Sequence, residues 1–417
     1  MLIYTVQPGD TLFRIATRLG STVALIMAAN HLPNPNEIFP DQKLLIPALT
    51  GTQVKVQPRD SLFALALRFD LPVEVLAAAN NLVPPFTIYP GQELQIPVTI
   101  VPASGCIAFL SSRAAGRRDI WSRTPSRVGL TRLTWGLGGP ASIPKWSPDY
   151  QKLAFMGESG ALYVLDASTL QARGLINKLP DFTPFDWSPN SQSLVFSLNN
   201  QVILINALTG ATKFITDGDD PAFLPDGQAI LFTKQTSKTA ELHEQIYRIN
   251  LDGSGLQQIT NLPDSGNISN LTVDPRGELV AFTSPGASVS IVYIAEIATG
   301  QIRQTPLGEQ GKDYAPIWSP SGDYLAYNST IFTAEHNFQG RVRVVNRQGQ
   351  LVADLTDVAC LGERLAWSPD SLYVVFPNCL YDLAQLTLVT FHRLPVQITS
   401  HGINIHPTWR QADCPTS

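Results

Sequence analysis

Trp367-Ser368-Pro369-Asp370-Ser371 leads, seven residues on from the tryptophan, into Val374-Val375-Phe376, and this pattern decides the fold. Proline at the second turn position, followed by Asp, Asn or Gly, folds a chain tightly back on itself. A bulky residue before the turn and an apolar run after it therefore read as a β-hairpin. The same arrangement recurs at Trp146, Trp187, Phe223, Val273 and Trp318, at spacings of 36–50 residues. A further apolar strand follows each hairpin, as at 162–166, 202–206, 246–250 and 291–297. Four-stranded meanders at such a period are propeller blades. Two half units remain, Ile107-Ala108-Phe109 without a preceding turn and Pro407-Thr408-Trp409 without a following strand. Joined, they make a seventh blade that closes the ring and leaves no exposed sheet edge.

The first hundred residues carry a different repeat, with an offset of 50. Tyr4-Thr5-Val6-Gln7-Pro8-Gly9-Asp10-Thr11-Leu12-Phe13 matches Val54-Lys55-Val56-Gln57-Pro58-Arg59-Asp60-Ser61-Leu62-Phe63. Ala28-Ala29-Asn30-His31-Leu32 matches Ala78-Ala79-Asn80-Asn81-Leu82, and 38–44 matches 88–94. Asp10-Thr11 and Asp60-Ser61 are N-cap chemistry for a helix with one apolar face, at Leu12, Ile15, Ala16 and Leu19 or Leu62, Leu65, Ala66 and Phe69. A second helix ends at Asn30 or Asn80, which are natural stop residues. Each unit reads as strand, helix, helix, strand.

These motifs resemble the LysM domain over 2–48 and 52–98, and residues 105–413 resemble the TolB-type propeller repeat. The expected architecture is mainly β. Two small βααβ LysM domains, at 1–49 and 50–99, precede a seven-bladed propeller at 100–417, closed by pairing of its N- and C-terminal strands. The LysM resemblance implies binding of N-acetylglucosamine polymers, meaning peptidoglycan, chitin or related glycans. It places the sugar in a shallow groove beside Gly9, Asp10, Thr11, Leu12, Ile38, Phe39 and Pro40 in the first repeat. In the second, the groove residues are Asp60, Ser61, Leu62, Ile88, Tyr89, Pro90 and Gly91. Arg59 stands where Gly is usual, and so does Asp41, adding bulk or charge at the groove edges. Two weak sites in tandem raise avidity through effective concentration.

Composition narrows the functional classes. The 417 residues are 44% hydrophobic and 15% charged, with 32 prolines and 29 glycines, as a folded, turn-rich chain requires. A net charge of −5 without a basic block argues against nucleic acid as a partner. No apolar run approaches the length of a membrane span, and Leu2–Val6 already reads as a strand, so no signal peptide is expected. Six histidines are scattered, and His401 and His406 read as surface or structural residues. Asp217-Gly218-Asp219-Asp220 reads as a solvated loop between blades. The tryptophans read as packing residues, and the insertions around 235–245 and 330–340 as protrusions suited to a partner.

Four cysteines fall into two pairs. Cys360 and Cys379 stand at equal distances on either side of the turn between Pro369 and Asp370, so antiparallel strands bring them face to face. Shifting the split blade onto the Trp367 hairpin sets Cys414 beside Cys106, where the ring closes. Paired cysteines favour an oxidising, extracytoplasmic location at the cell wall or envelope. Gly157-Glu158-Ser159-Gly160 lacks the spacing of a nucleophile elbow, and no phosphate loop or zinc-protease motif stands in the chain. The expectation is a non-enzymatic glycan-binding protein without metal or cofactor, its propeller presenting a platform to another protein. Two alternatives stay open. The propeller channel is a polysaccharide lyase, hydrolase or peptidase-type site, which converging His, Arg and carboxylates at one mouth would favour. Otherwise the chain is a structural interaction protein with idle LysM grooves.

Overall fold

A computed structural model describes residues 1–48, 51–97, 101, 103–114, 117–125, 130–139, 143–158, 160–236, 243–262, 266–285, 289–308, 311–332, 338–361, 363–380, 383–391 and 393–415. In the first repeat, β1 (Leu2–Thr5) pairs antiparallel with β2 (Lys43–Ile46), in register Leu2 to Ile46, around α1 (Leu12–Leu19) and α2 (Val23–Ala29). The second repeats this with β3 (Thr52–Lys55), α3 (Leu62–Phe69), α4 (Val73–Ala79) and β4 (Glu93–Ile96). Thr11 and Ser61 cap α1 and α3, accepting from the amides of Arg14 and Ala64. The stop asparagines reach further than a cap. Asn30 bonds both the amide and the carbonyl of Leu45, and Asn80 does the same to Gln95, stapling each second helix to its returning strand.

Five four-stranded sheets stand apart in the propeller. One joins Asn404–Arg410 to β5 (Cys106–Ala114), β6 (Arg117–Arg123) and β7 (Thr131–Arg132), so the chain's two ends do pair, Trp409 opposite Ile107. The expectation of seven separate blades is corrected. The remaining propeller strands lie in a ten-stranded sheet, in which Asp313–Ala359 and Ala366–Gln397 meet through the single pair Ala359 and Asn378. That sheet runs on through Val396 and Leu2 into β1 and β2. The docked N-terminal repeat accounts for that extension, since it covers a propeller edge with a strand of its own.

The hairpin signature has a physical cause in every part. Ser147, Ser188 and Ser368 each accept from the amide five residues on, while their hydroxyls donate to Asp149, Asn190 and Asp370, which locks the turn. Trp187, Trp318 and Trp367 send their indole N–H to the backbone carbonyls of Lys145, Thr272 and Ile317 in the preceding hairpin, tying one hairpin to the next. The aromatic of each second strand is fully buried: Phe109, Phe155, Phe196, Phe232, Phe282, Tyr327 and Phe376.

Leu25, Ala29 and Val75 of α2 and α4 share a core with Val342, Val374 and Trp367, so the two LysM units pack on the propeller. Asp70 at the end of α3 completes the junction. Its buried carboxylate lies 3.3 Å from Arg113, 3.7 Å from Arg123 and 3.0 Å from His401 Nδ1. Burial opposes ionisation there, but the His401 hydrogen bond and the two arginines outweigh it and hold the carboxyl below its ordinary range.

Candidate functional site

In each LysM unit the loop after the first strand and the loop before the last, where the resemblance places the groove, stand side by side. Backbone bonds cross between them, Val6 with Gln42 and Asp41, Val56 with Gln92 and Gly91, so the two walls are held together. Asp10 accepts from the Gln7 amide (2.9 Å) and the Tyr4 hydroxyl (2.6 Å), and Asp60 accepts from the Gln57 amide (2.7 Å). The Tyr4 bond above all holds the Asp10 carboxyl below its usual range. Gln42 and Gln92 brace the far wall by accepting from the amides of Phe39 and Tyr89, 3.0 Å each.

Leu12 and Leu62 are 1% and 4% exposed, so their side chains belong to the two cores and not to the groove surface. What they leave available at this place is the polypeptide around them. Ile38 and Ile88 are partly buried against the same cores. Phe39 and Tyr89, by contrast, are 67% and 66% exposed at equivalent positions. Gly9 and Gly91 take left-handed backbone (φ 85° and 88°), and Arg59 and Asp41 adopt it without being glycine (φ 76° and 69°). Pro40 and Pro90 stand beside these turns.

Two residues escaped the sequence reading. Phe13 and Phe63, in the first turn of α1 and α3, are 72% and 62% exposed. The signal was present, since an aromatic immediately after Leu12 or Leu62 falls off the apolar helix face in both repeats. An exposed aromatic repeated at one position is a flat apolar surface of the kind a sugar ring covers.

A second site lies at the centre of the propeller. The innermost strands Asp219–Phe223, Ser269–Val273, Asp313–Trp318 and Asn404–Arg410 each carry a register shift. At that kink Asp220, Asn270, Ala315 and His406 take positive φ, between 44° and 58°. A cavity of about 180 Å³ is lined there by Asp220, Asn270 and Arg364, with Pro184, Pro221 and Pro316 among its apolar walls. Asp219 and Asp220 thus sit in an inner strand, and the expectation of a solvated acidic loop is corrected. Sequence reasoning missed Arg364 too, although it occupies the same place before Trp367 that Asp220 occupies before Phe223.

The electrostatics of this centre are unusual. Burial, assisted by the neighbouring Asp219 charge, pushes Asp220 up to about 6 against the pull of Arg364. Burial likewise pushes Glu363 up, while burial and the charges of Arg364 and Arg118 push His406 down to about 3. His406 is therefore a neutral imidazole, its Nδ1 3.3 Å from Glu363. The insertions around 235–245 and 330–340 fall largely outside the described residues. Cys106 bonds to Cys414 and Cys360 to Cys379, the pairs expected. Among the described residues no single helix is long and apolar enough to cross a membrane.

Comparison with known proteins places both regions. A family model for the TolB beta propeller domain matches residues 138–371, more than half of the chain, and the LysM domain model matches 4–47 and 54–97. An uncharacterized protein of Agrobacterium fabrum is 29% identical over 185 residues, 40% of this chain. The match spans 61% of that relative's length. An oligogalacturonate lyase solved in complex with manganese shares the fold at TM-score 0.54 and 16% identity, over 69% of this chain and 86% of its own. The oligogalacturonate lyase of Vibrio parahaemolyticus matches at TM-score 0.54 and 15% identity, over 68% and 85%.

Proposed function

The chain belongs to the TolB beta propeller family, and on that premise we propose that it is a non-catalytic, carbohydrate-binding protein. Its LysM pair holds peptidoglycan or another N-acetylglucosamine polymer such as chitin, and its propeller is a platform for a protein partner. The observation that carries this reading is a set of exposed aromatics repeated in both units, Phe39 and Phe13 in the first and Tyr89 and Phe63 in the second. Neutral sugars are held by apolar faces and backbone groups, and such aromatics supply the former. We take the ten-stranded sheet to be two blades joined at Ala359, which makes a ring of seven; seven second strands with a buried aromatic support that count. The domain limits follow as 1–49, 50–99 and 100–417. Two disulfides and the LysM pair support an extracytoplasmic setting at the cell envelope.

The test is retention of the full chain on purified peptidoglycan and on chitin. Replacing Phe39 and Tyr89 together by Ala removes roughly 1 kcal/mol of aromatic contact per repeat. Expected is at least a tenfold loss of retention with unchanged melting temperature. Equal retention of this variant and the parent on both polymers would sink the groove assignment.

One observation favours a competing, enzymatic reading. Burial pushes Asp220 up to about 6, in the range useful for proton transfer, and it lines the cavity with Arg364. Likeness to lyases at 15–16% identity carries the fold and no chemistry. His406, at about 3, is too weak a base to take a proton near neutrality. Release of new reducing ends from the bound glycan by the parent, and not by Asp220→Asn, would establish the enzyme and overturn the non-catalytic reading.

A further inference from the structure

Arg364 lines the cavity at the centre of the propeller. Its Nη2 donates to Asn270 Oδ1 at 3.2 Å, and among the described residues that is the hydrogen bond it makes. A guanidinium offers five N–H donors in a planar fork, so this bond uses a small part of its capacity. The other cation in the lining, Lys145, is neutralised by Asp186 at 2.5 Å. Asp186 also accepts from the Phe223 amide. Asp220 accepts from the Leu271 amide at 3.1 Å and shares the field of Arg364 without occupying its fork in an ion pair. Prolines form much of the wall, and they offer no backbone N–H to a ligand. What the cavity presents is one forked cation in the field of two carboxyls, Asp220 in the lining and Glu363 next to it in sequence, and an apolar collar.

We propose that this cavity binds the carboxylate end of a small organic acid, with Arg364 as its bidentate partner and the proline collar around its apolar body. A volume of about 180 Å³ equals roughly six waters at about 30 Å³ each, enough for the end of a short peptide or one sugar acid. Arginine and carboxylate match in geometry as well as charge, and low-dielectric walls strengthen the pair. Asp220 tunes the site from beside it, because its negative form competes with the incoming carboxylate for Arg364. The site is separate from the LysM grooves, so it stands or falls independently of glycan retention.

The experiment is calorimetric titration of the full chain at pH 7 with three probes: N-acetylalanine, glucuronate and the neutral N-acetylalaninamide. The two acids separate a peptide source from a sugar source, and the amide tests the charge. Expected is saturable binding of at least one acid and none of the amide. Arg364→Met should weaken the acid at least tenfold, and Asp220→Asn should tighten it about threefold by removing the competing charge. Should Arg364→Met fail to fold, Arg364→Lys keeps the charge but loses the fork, and several-fold weakening is still required. Binding of the amide equal to that of the acid, acid binding unchanged by the Arg364 variants, or no binding of either acid would overturn the proposal.

Discussion

Asp70 shows how much one side chain can decide. In the first repeat the residue closing the first helix is Gly20, in left-handed backbone at φ 64°; in the second it is Asp70, at φ 53°. An L-residue there costs roughly 1 kcal/mol, so the departure needs a compensating gain. That gain is the buried cluster with Arg113, Arg123 and His401. Asp70→Gly relieves the backbone and leaves two arginines without their carboxylate. It should nonetheless destabilise by about 3 kcal/mol, the scale for removing one partner of a buried pair. A denaturant midpoint equal to or above the parent's would show that the cluster contributes nothing. Because the folded carboxyl titrates below its ordinary value, its contribution is present above about pH 4 and is lost only as acid protonates the folded form.

At the scale of the strand, the kinked inner strands link fold to electrostatics. The shift between Asp219 and Ala222 turns Asp220 into the channel, where its folded pKa of about 6 stands above the unfolded value near 3.9. An acid raised by folding is stabilising only while protonated. Its penalty begins as pH rises past about 4 and is complete above about 6. Asp220→Asn should therefore raise the melting temperature at pH 8 and change little at pH 4; the same shift at both values would mean that burial does not strain the charge. The sequence announced the strand, through Pro225-Asp226 and the apolar run after it, but not the kink. Hairpins are local and their turn chemistry is written in the residues themselves. The cavity depends on which strands the ring brings face to face, and Asp219-Asp220 read locally looks like any acidic loop. The grooves were half legible for a related reason. Repeats located the loops, but whether Leu12 or Phe13 faces water depends on packing against the opposite strand.

For the whole molecule, the decisive place is where the chain closes. β5 pairs with Asn404–Arg410, and Cys106–Cys414 locks the same joint across 308 residues of sequence. Chain entropy assigns such a loop roughly 5–6 kcal/mol, against about 3 for the Cys360–Cys379 loop of 19. The junction that holds the second LysM unit is built from the same pieces, since Arg113 lies in β5 and His401 just before the last strand. Opening the ring must therefore loosen the LysM dock, and loosening the dock must weaken the ring. Cys414→Ala should lower stability more than Cys379→Ala and should reduce hydrogen-exchange protection at Ile107 and Leu110 first. Combined with Asp70→Gly it should fall short of additivity by at least about 0.5 kcal/mol, because the first change already frees what the second would release. Strict additivity, with exchange at Ile107 unaltered in the Asp70→Gly chain, would mean that the LysM end and the ring are held independently. The propeller would then not transmit to the grooves any strain placed on its closure.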